Sequence, residues 1–162
     1  MILDLVHTAE QAYFQSLDQF DGPVFVSHAN CRAFVPNDRQ LSDEQIQHIV
    51  RRSGVIGVVL DAWMLSPGYD RRTTPRGSVS LQDLANHIEH ICQLAGNCQH
   101  VGIGSDQDGG FGAEQCPCEI DSISDLQLLG DILGQRGFPS PDIEGIFHGN
   151  WLRFFREHLP EN

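Results

Sequence analysis

Two histidines, His7 and His28, stand 21 residues apart, and each closes a short apolar run: Ile2 to His7 (ILDLVH) and Val24 to His28 (VFVSH). Imidazole nitrogen is a common zinc ligand and titrates near neutrality, so two such rings suit metal binding or proton transfer. A buried parallel strand reads as a nearly continuous apolar run, and βα repeats present their reactive groups at the strand C-terminal ends. One histidine of this kind reads as a polar cap on a strand end. Two in successive repeats read as a pair of metal ligands. A third apolar run, His100 to Ser105, delivers Asp106 to the same edge, at the head of the loop Asp106-Gln107-Asp108-Gly109-Gly110. A carboxylate placed there can do acid/base work or pair with an ammonium. Asp108 reads as the turn residue of an Asp-Gly pair.

Other reactive residue types read as structural. Arg39, eleven residues beyond His28, stands on a polar stretch and by itself is a solvated cation. His87 and His90 share a helix face with apolar residues, which marks them as packing histidines. The five cysteines, Cys31, Cys92, Cys98, Cys116 and Cys118, lack zinc-finger spacing and are odd in number, which fits a reduced, cytoplasmic setting. Cys116-Pro117-Cys118 reads as a surface loop and is left out of the site.

The elements that position these groups alternate. Ala9 to Phe20 carries Ala12, Tyr13, Leu17 and Phe20 at helical spacing and ends at Gly22-Pro23. A second helix opens at Ser42-Asp43-Glu44-Gln45, an N-cap followed by an acidic first turn. Gly54 to Leu60 (GVIGVVL) is a further strand, Asp61 to Ser78 a long loop, and Ser80 to Ala95 a helix closed by Gly96. Helices around Ser124 to Leu133, Ser140 to Phe147 and Trp151 to Leu159 complete the chain. Four strands with crossover helices make a parallel α/β fold. An eight-stranded barrel takes about 250 residues, so the chain reads as half of one or as a small open sheet. No glycine-rich phosphate fingerprint follows a strand, which disfavours a flavodoxin-like or nucleotide-binding domain.

With 162 residues, 40% of them hydrophobic, the chain can bury one ordinary core, so residues 1–162 are expected to be a single partial domain. A net charge of -12 opposes a nucleic-acid or anionic-membrane partner, because phosphate needs a lysine and arginine field. No apolar run approaches the roughly 18 residues of a membrane span, and no signal peptide is expected at the N-terminus.

The segments DLVH (Asp4 to His7), VSHANCRA (Val26 to Ala33), NDRQLSDEQI (Asn37 to Ile46), GVIGVVL, LANHIEHICQLAG (Leu84 to Gly96), HVGIGSDQDGG and GNWLRFF (Gly149 to Phe155) together resemble, in order, the membrane (renal) dipeptidase family of zinc metallopeptidases. The resemblance implies the C-terminal half, about four βα units, of a TIM-type (β/α)8 barrel. It implies hydrolysis of dipeptides by a metal-bound hydroxide at a site of two zinc ions. It matches His7 and His28 to two ligands of one zinc, at the ends of the fifth and sixth barrel strands. Arg39 matches the arginine that pairs with the C-terminal carboxylate of the substrate. Asp106 matches the aspartate after the eighth strand, catalytic proton carrier and anchor for the amine of the dipeptide. Asp4 reads as a support of the first strand's catalytic edge.

The departures are as informative. The family's His-x-Asp pair and bridging glutamate have no counterpart in this sequence, and Gln107 replaces a phenylalanine common in the family's last loop. Two nitrogen ligands fall short of the three protein ligands of a catalytic zinc. Half a barrel also leaves two strand edges open, which invites an N-terminal half-barrel partner, a homodimer or aggregation. The expected function is a zinc-dependent dipeptidase polypeptide that is inactive or weakly active alone. The alternative is a non-catalytic relic or interaction module.

Overall fold

The computed structural model describes residues 1–107 and 109–160, so Asp108 and its expected turn role lie outside the described residues. Four strands, β1 (Leu3–Asp4), β2 (Val24–Phe25), β3 (Ile56–Val58) and β4 (Val101–Ile103), run parallel. Leu3 lies opposite Val24, Ile56 opposite Val101, and a parallel bridge from Val26 to Ile56 joins the two pairs, giving the order β1-β2-β3-β4. Helices α1 (Glu10–Gln19), α2 (Asp43–Arg51) and α4 (Leu81–Ala95) occupy the three connections, with a single helical turn, α3 (Ala62–Leu65), after β3. This is the repeating unit the apolar runs predicted.

The regular strands are shorter than those runs because side chains take over the ladder at their ends. One Asp4 carboxylate oxygen accepts the N–H groups of both Val6, at 3.1 Å, and Ser27, at 3.0 Å. Asn30 Oδ1 accepts the N–H of Val59 at 3.0 Å. Past these points the chain leaves the sheet and becomes the loops that carry the site.

Alternation divides the sheet into two faces. Val24, Val26, Ile56, Val58 and Val101 pack with Tyr13, Ile46, Ile49, Leu84 and Ile88 of the helices in the main core. Tyr13 is buried and its hydroxyl donates to the Gln45 carbonyl at 2.9 Å, pinning α1 to α2; Ala12, expected on the same face, is exposed. The opposite face carries Phe25, Gly57 and Gly102. Phe25 meets the rings of Trp151, Phe154 and Phe155 there, and a Cβ on Gly102 would strike the Trp151 indole.

The helix starts follow local chemistry. Ser42 and Gln45 form a capping box on α2, with Asp43 and Glu44 in its first turn. Ser80 and Asp83 do the same for α4, which Gly96 ends in the left-handed conformation at φ 72°. Two expectations change. The stretch after Asp61 contains α3, whose single turn is too short to show a helical period. The two terminal helices are one continuous rod: α6 (Ser140–Glu144) passes through a wider π-type turn at Gly145–Gly149 into α7 (Asn150–His158), preceded by α5 (Leu128–Gln135). No helix among the described residues is long and apolar enough to cross a membrane.

Candidate functional site

Each of the four strands delivers one reactive group to the same edge: His7 after β1, His28 after β2, Asp61 after β3 and Asp106 after β4. His7 Nε2 and His28 Nε2 stand 3.0 Å apart, with ring centroids 5.0 Å apart. Two nitrogens on one tetrahedral zinc, bonded at about 2.0–2.1 Å, lie about 3.3 Å apart. The pair therefore has close to the spacing of two ligands of one ion. His28 Nδ1 lies 2.9 Å from Ser27 Oγ. With its proton on Nδ1, donated to that hydroxyl, the Nε2 lone pair is free for a metal.

Electrostatics favour the neutral ring. Burial holds the His28 pKa below its ordinary value, the Arg39 and His7 charges push it the same way, and Asp106, with Oδ2 3.8 Å from Nε2, opposes them. Arg39 is half-buried and folds over the pair: Nη2 donates to the His28 carbonyl at 2.9 Å and lies 3.3 Å from His7 Nε2. Burial lowers its pKa, while the carboxylates of Asp106, Asp4 and Asp61 hold it up. A cavity of about 280 Å³ lies against His7, lined also by Thr8, Asp38 and Arg39 and by the apolar Leu5 and Val26. The four residues singled out from the sequence thus gather in one place.

Backbone strain concentrates here too. His7 at φ 57° and Asp106 at φ 58° are in the left-handed region, which costs a non-glycine residue about 1–2 kcal/mol. Residues held this way cluster at functional sites because surrounding structure must over-determine them. Asp4 does part of that work at β1, since its carboxylate ties the end of β1 to the end of β2.

A buried polar network fixes the loop between His28 and Arg39. The Asn30 amide donates to the Val59 carbonyl at 3.0 Å, the Asn30 N–H donates to Gln40 Oε1 at 3.0 Å, and Gln40 Nε2 donates to the Met64 carbonyl at 2.7 Å. Next to it, the Cys31 N–H donates to His87 Nδ1 at 3.0 Å. His87 is thus a packing histidine, as its helix position predicted, and His90 pairs with Asp43 across α2 and α4 at 2.8 Å. The five cysteines are all free thiols.

Asp61 was missed by sequence reasoning. It is buried, and its two oxygens accept from Trp63 Nε1 at 2.7 Å and Gln115 Nε2 at 2.6 Å. Burial pushes its pKa up, with the Asp106 charge acting in the same direction and the hydrogen bonds from Gln115 and Trp63 opposing. The signal was present: Asp61 follows GVIGVVL as His28 follows VFVS, but it lay at the head of a stretch read as loop. Among the described residues no group of three histidine, cysteine or carboxylate side chains is arranged to hold a metal ion.

Parallel strands with crossover helices bring two convergent imidazoles and two carboxylates to one edge of an α/β fold. More narrowly, the chain belongs to the membrane dipeptidase family, peptidase family M19, whose model matches residues 1–160. It is 30% identical over 159 residues to an uncharacterized dipeptidase of Schizosaccharomyces pombe, covering 97% of this chain and 36% of that protein. With dipeptidase tcpJ of Claviceps purpurea the identity is 27% over 160 residues, covering 97% of this chain and 34% of the relative. The chain therefore spans about a third of these curated relatives. Among solved structures, a metallopeptidase from Rhodobacter sphaeroides, liganded with a phosphinate mimic of the dipeptide L-Ala-D-Ala, superposes with a TM-score of 0.83 at 26% identity, over 96% of this chain and 42% of that one.

Proposed function

We propose that these residues form the C-terminal half of a zinc-dependent dipeptidase barrel, in which His7 and His28 bind one metal ion and the remaining ligands come from polypeptide outside residues 1–162, whether continuous with them or separate. The observation that carries this reading is the convergence of the His7 and His28 Nε2 atoms, 3.0 Å apart, at the edge where Arg39 and Asp106 also gather. A zinc ion there would supply a Lewis acid that polarises the scissile carbonyl and acidifies bound water.

The chain's own residues supply the rest. The Arg39 guanidinium, held by the His28 carbonyl, presents its remaining N–H groups to the C-terminal carboxylate of a dipeptide, for which a planar fork is well matched. Asp106, with Oδ2 3.8 Å from His28 Nε2, would pair with the substrate's amine and carry a proton toward the leaving nitrogen. Ser27 fixes the His28 ring, and Asp4 fixes the strand ends beneath both histidines. The five free thiols support a reducing, cytoplasmic setting.

The test is release of amino acids from L-Ala-D-Ala. Residues 1–162 alone are expected to show little activity. Adding a family N-terminal half that carries the His-x-Asp pair and the bridging glutamate restores zinc-dependent hydrolysis, and His28→Ala abolishes it. Equal activity with and without that half would refute the reading. The alternative is a non-catalytic relic or interaction module, for which zinc affinity no better than that of a His7→Ala/His28→Ala variant would be the supporting result.

A further inference from the structure

The outer edge of β4 is where half a barrel should be bare, and it is covered. Because the Ile56 N–H takes the His100 carbonyl, the alternate carbonyls of Gln99, Val101 and Ile103 face away from β3, toward the edge a following strand would use. All three accept from side chains of α7. Arg153 Nη2 donates to Gln99 O at 2.9 Å, Asn150 Nδ2 to Val101 O at 2.7 Å and Trp151 Nε1 to Ile103 O at 3.0 Å. Asn150 Nδ2 also donates to Cys98 O at 2.7 Å.

The same helix wraps onto the face of the sheet turned away from the main core. The Trp151 ring lies against Gly102, where a Cβ would collide with it, and stacks on Phe155 at 5.7 Å with 16° between the planes. Phe25 of β2 completes this cluster with Phe154, which is fully buried. Three hydrogen bonds fix α7 at the edge and an aromatic cluster anchors it to the face.

We propose that α7 is an edge lock: Asn150, Trp151 and Arg153 stand in for a neighbouring strand, and while they are docked no strand of a second copy of this chain can pair with β4. A lone β-edge is a template for another chain, and covering it with a helix is one of the few ways to blunt it. Two copies could otherwise close on each other with β1 of each chain added to β4 of the other, an isologous pairing that uses both edges at once. On this view the chain is held apart from its own copies until α7 lets go. The inference concerns edge pairing and needs neither metal nor catalysis; it bears on the dipeptidase reading only in that an N-terminal half closing the barrel would use the same β4 edge and would also require α7 to release it.

The test compares the chain with Asn150→Leu/Trp151→Phe, which keeps apolar bulk but removes the donors to Val101 and Ile103. Light scattering across a dilution series gives the dimerisation constant, and hydrogen exchange follows the β4 amides. The double variant is expected to dimerise at least about tenfold more tightly than the parent, with β4 amides better protected in the dimer than in the parent monomer. An unchanged or weaker dimerisation constant overturns the proposal. Should the double variant fail to fold, Trp151→Phe alone must shift dimerisation in the same direction by a smaller factor; no shift overturns the proposal equally.

Discussion

His87 makes the fold sensitive to acid in a way that can be calculated. The Cys31 N–H donates to its Nδ1, so the ring proton of the neutral form sits on Nε2, and that atom is buried without a hydrogen-bond partner. A second proton would have to go on Nδ1, head to head with the Cys31 N–H, inside a side chain with no exposed surface. Burial accordingly pushes the His87 pKa from 6.5 down to about 4, with the Leu65 backbone acting in the opposite direction. The unfolded chain binds this proton near pH 6.5 and the folded chain only near pH 4, so between those values the unfolded state holds more protons. The stabilising contribution is whole above about pH 6.5, falls as the pH is lowered, and is fully lost by about pH 4. At about 1.4 kcal/mol per pH unit the loss is about 3 kcal/mol, a large share of the roughly 5–15 kcal/mol that holds a domain together. Urea unfolding at stepped pH on the parent and on His87→Gln, whose amide oxygen can still accept from Cys31, isolates this group from other histidines. The parent should lose about 3 kcal/mol more than the variant between pH 6.5 and 4. Parallel stability curves for the two proteins would refute the assignment of His87 as a buried neutral ring.

Two further perturbations reach the site through its supports. A Cβ on Gly104 would collide with the Ser27 carbonyl and the Gly57 backbone, so Gly104→Ala should cost about 1–3 kcal/mol in thermal or urea unfolding and displace His28, read as a changed imidazole signal in NMR. Asn30→Ala strips the Val59 N–H of its partner and the Val59 carbonyl of its donor, at a cost of about 3 kcal/mol, and should speed amide exchange in the loop that carries Arg39 while leaving the far helices unaffected.

How much of this was legible beforehand differs between fold and site. The four apolar runs, the Ser42 cap and the Gly96 stop were readable because they are local: a period, a hydroxyl before an acidic turn, a residue that tolerates positive φ. His7, His28 and Asp106 were readable for the same reason, since each terminates such a run. The convergence of Arg39 on the histidines was carried only by the family resemblance and not by local pattern, because it depends on the Asn30 and Gln40 bonds that fold the loop back, and these connect residues up to 34 positions apart. Asp61 escaped because its partner Gln115 lies 54 residues away. The covered β4 edge was likewise invisible: alternating carbonyls leave no mark on composition, and the expectation of two bare edges held no information about where Asn150 and Trp151 would point.

On the proposed function His7 and His28 act together on one metal ion. Isothermal titration of the chain with zinc at neutral pH, beside His7→Ala, His28→Ala and the double variant, tests it without reference to catalysis. One zinc should bind per chain, weakly because only two of its ligands are present, with each single substitution weakening binding at least about tenfold and the double variant showing no specific binding. Zinc affinity in the double variant equal to that of the parent would contradict it.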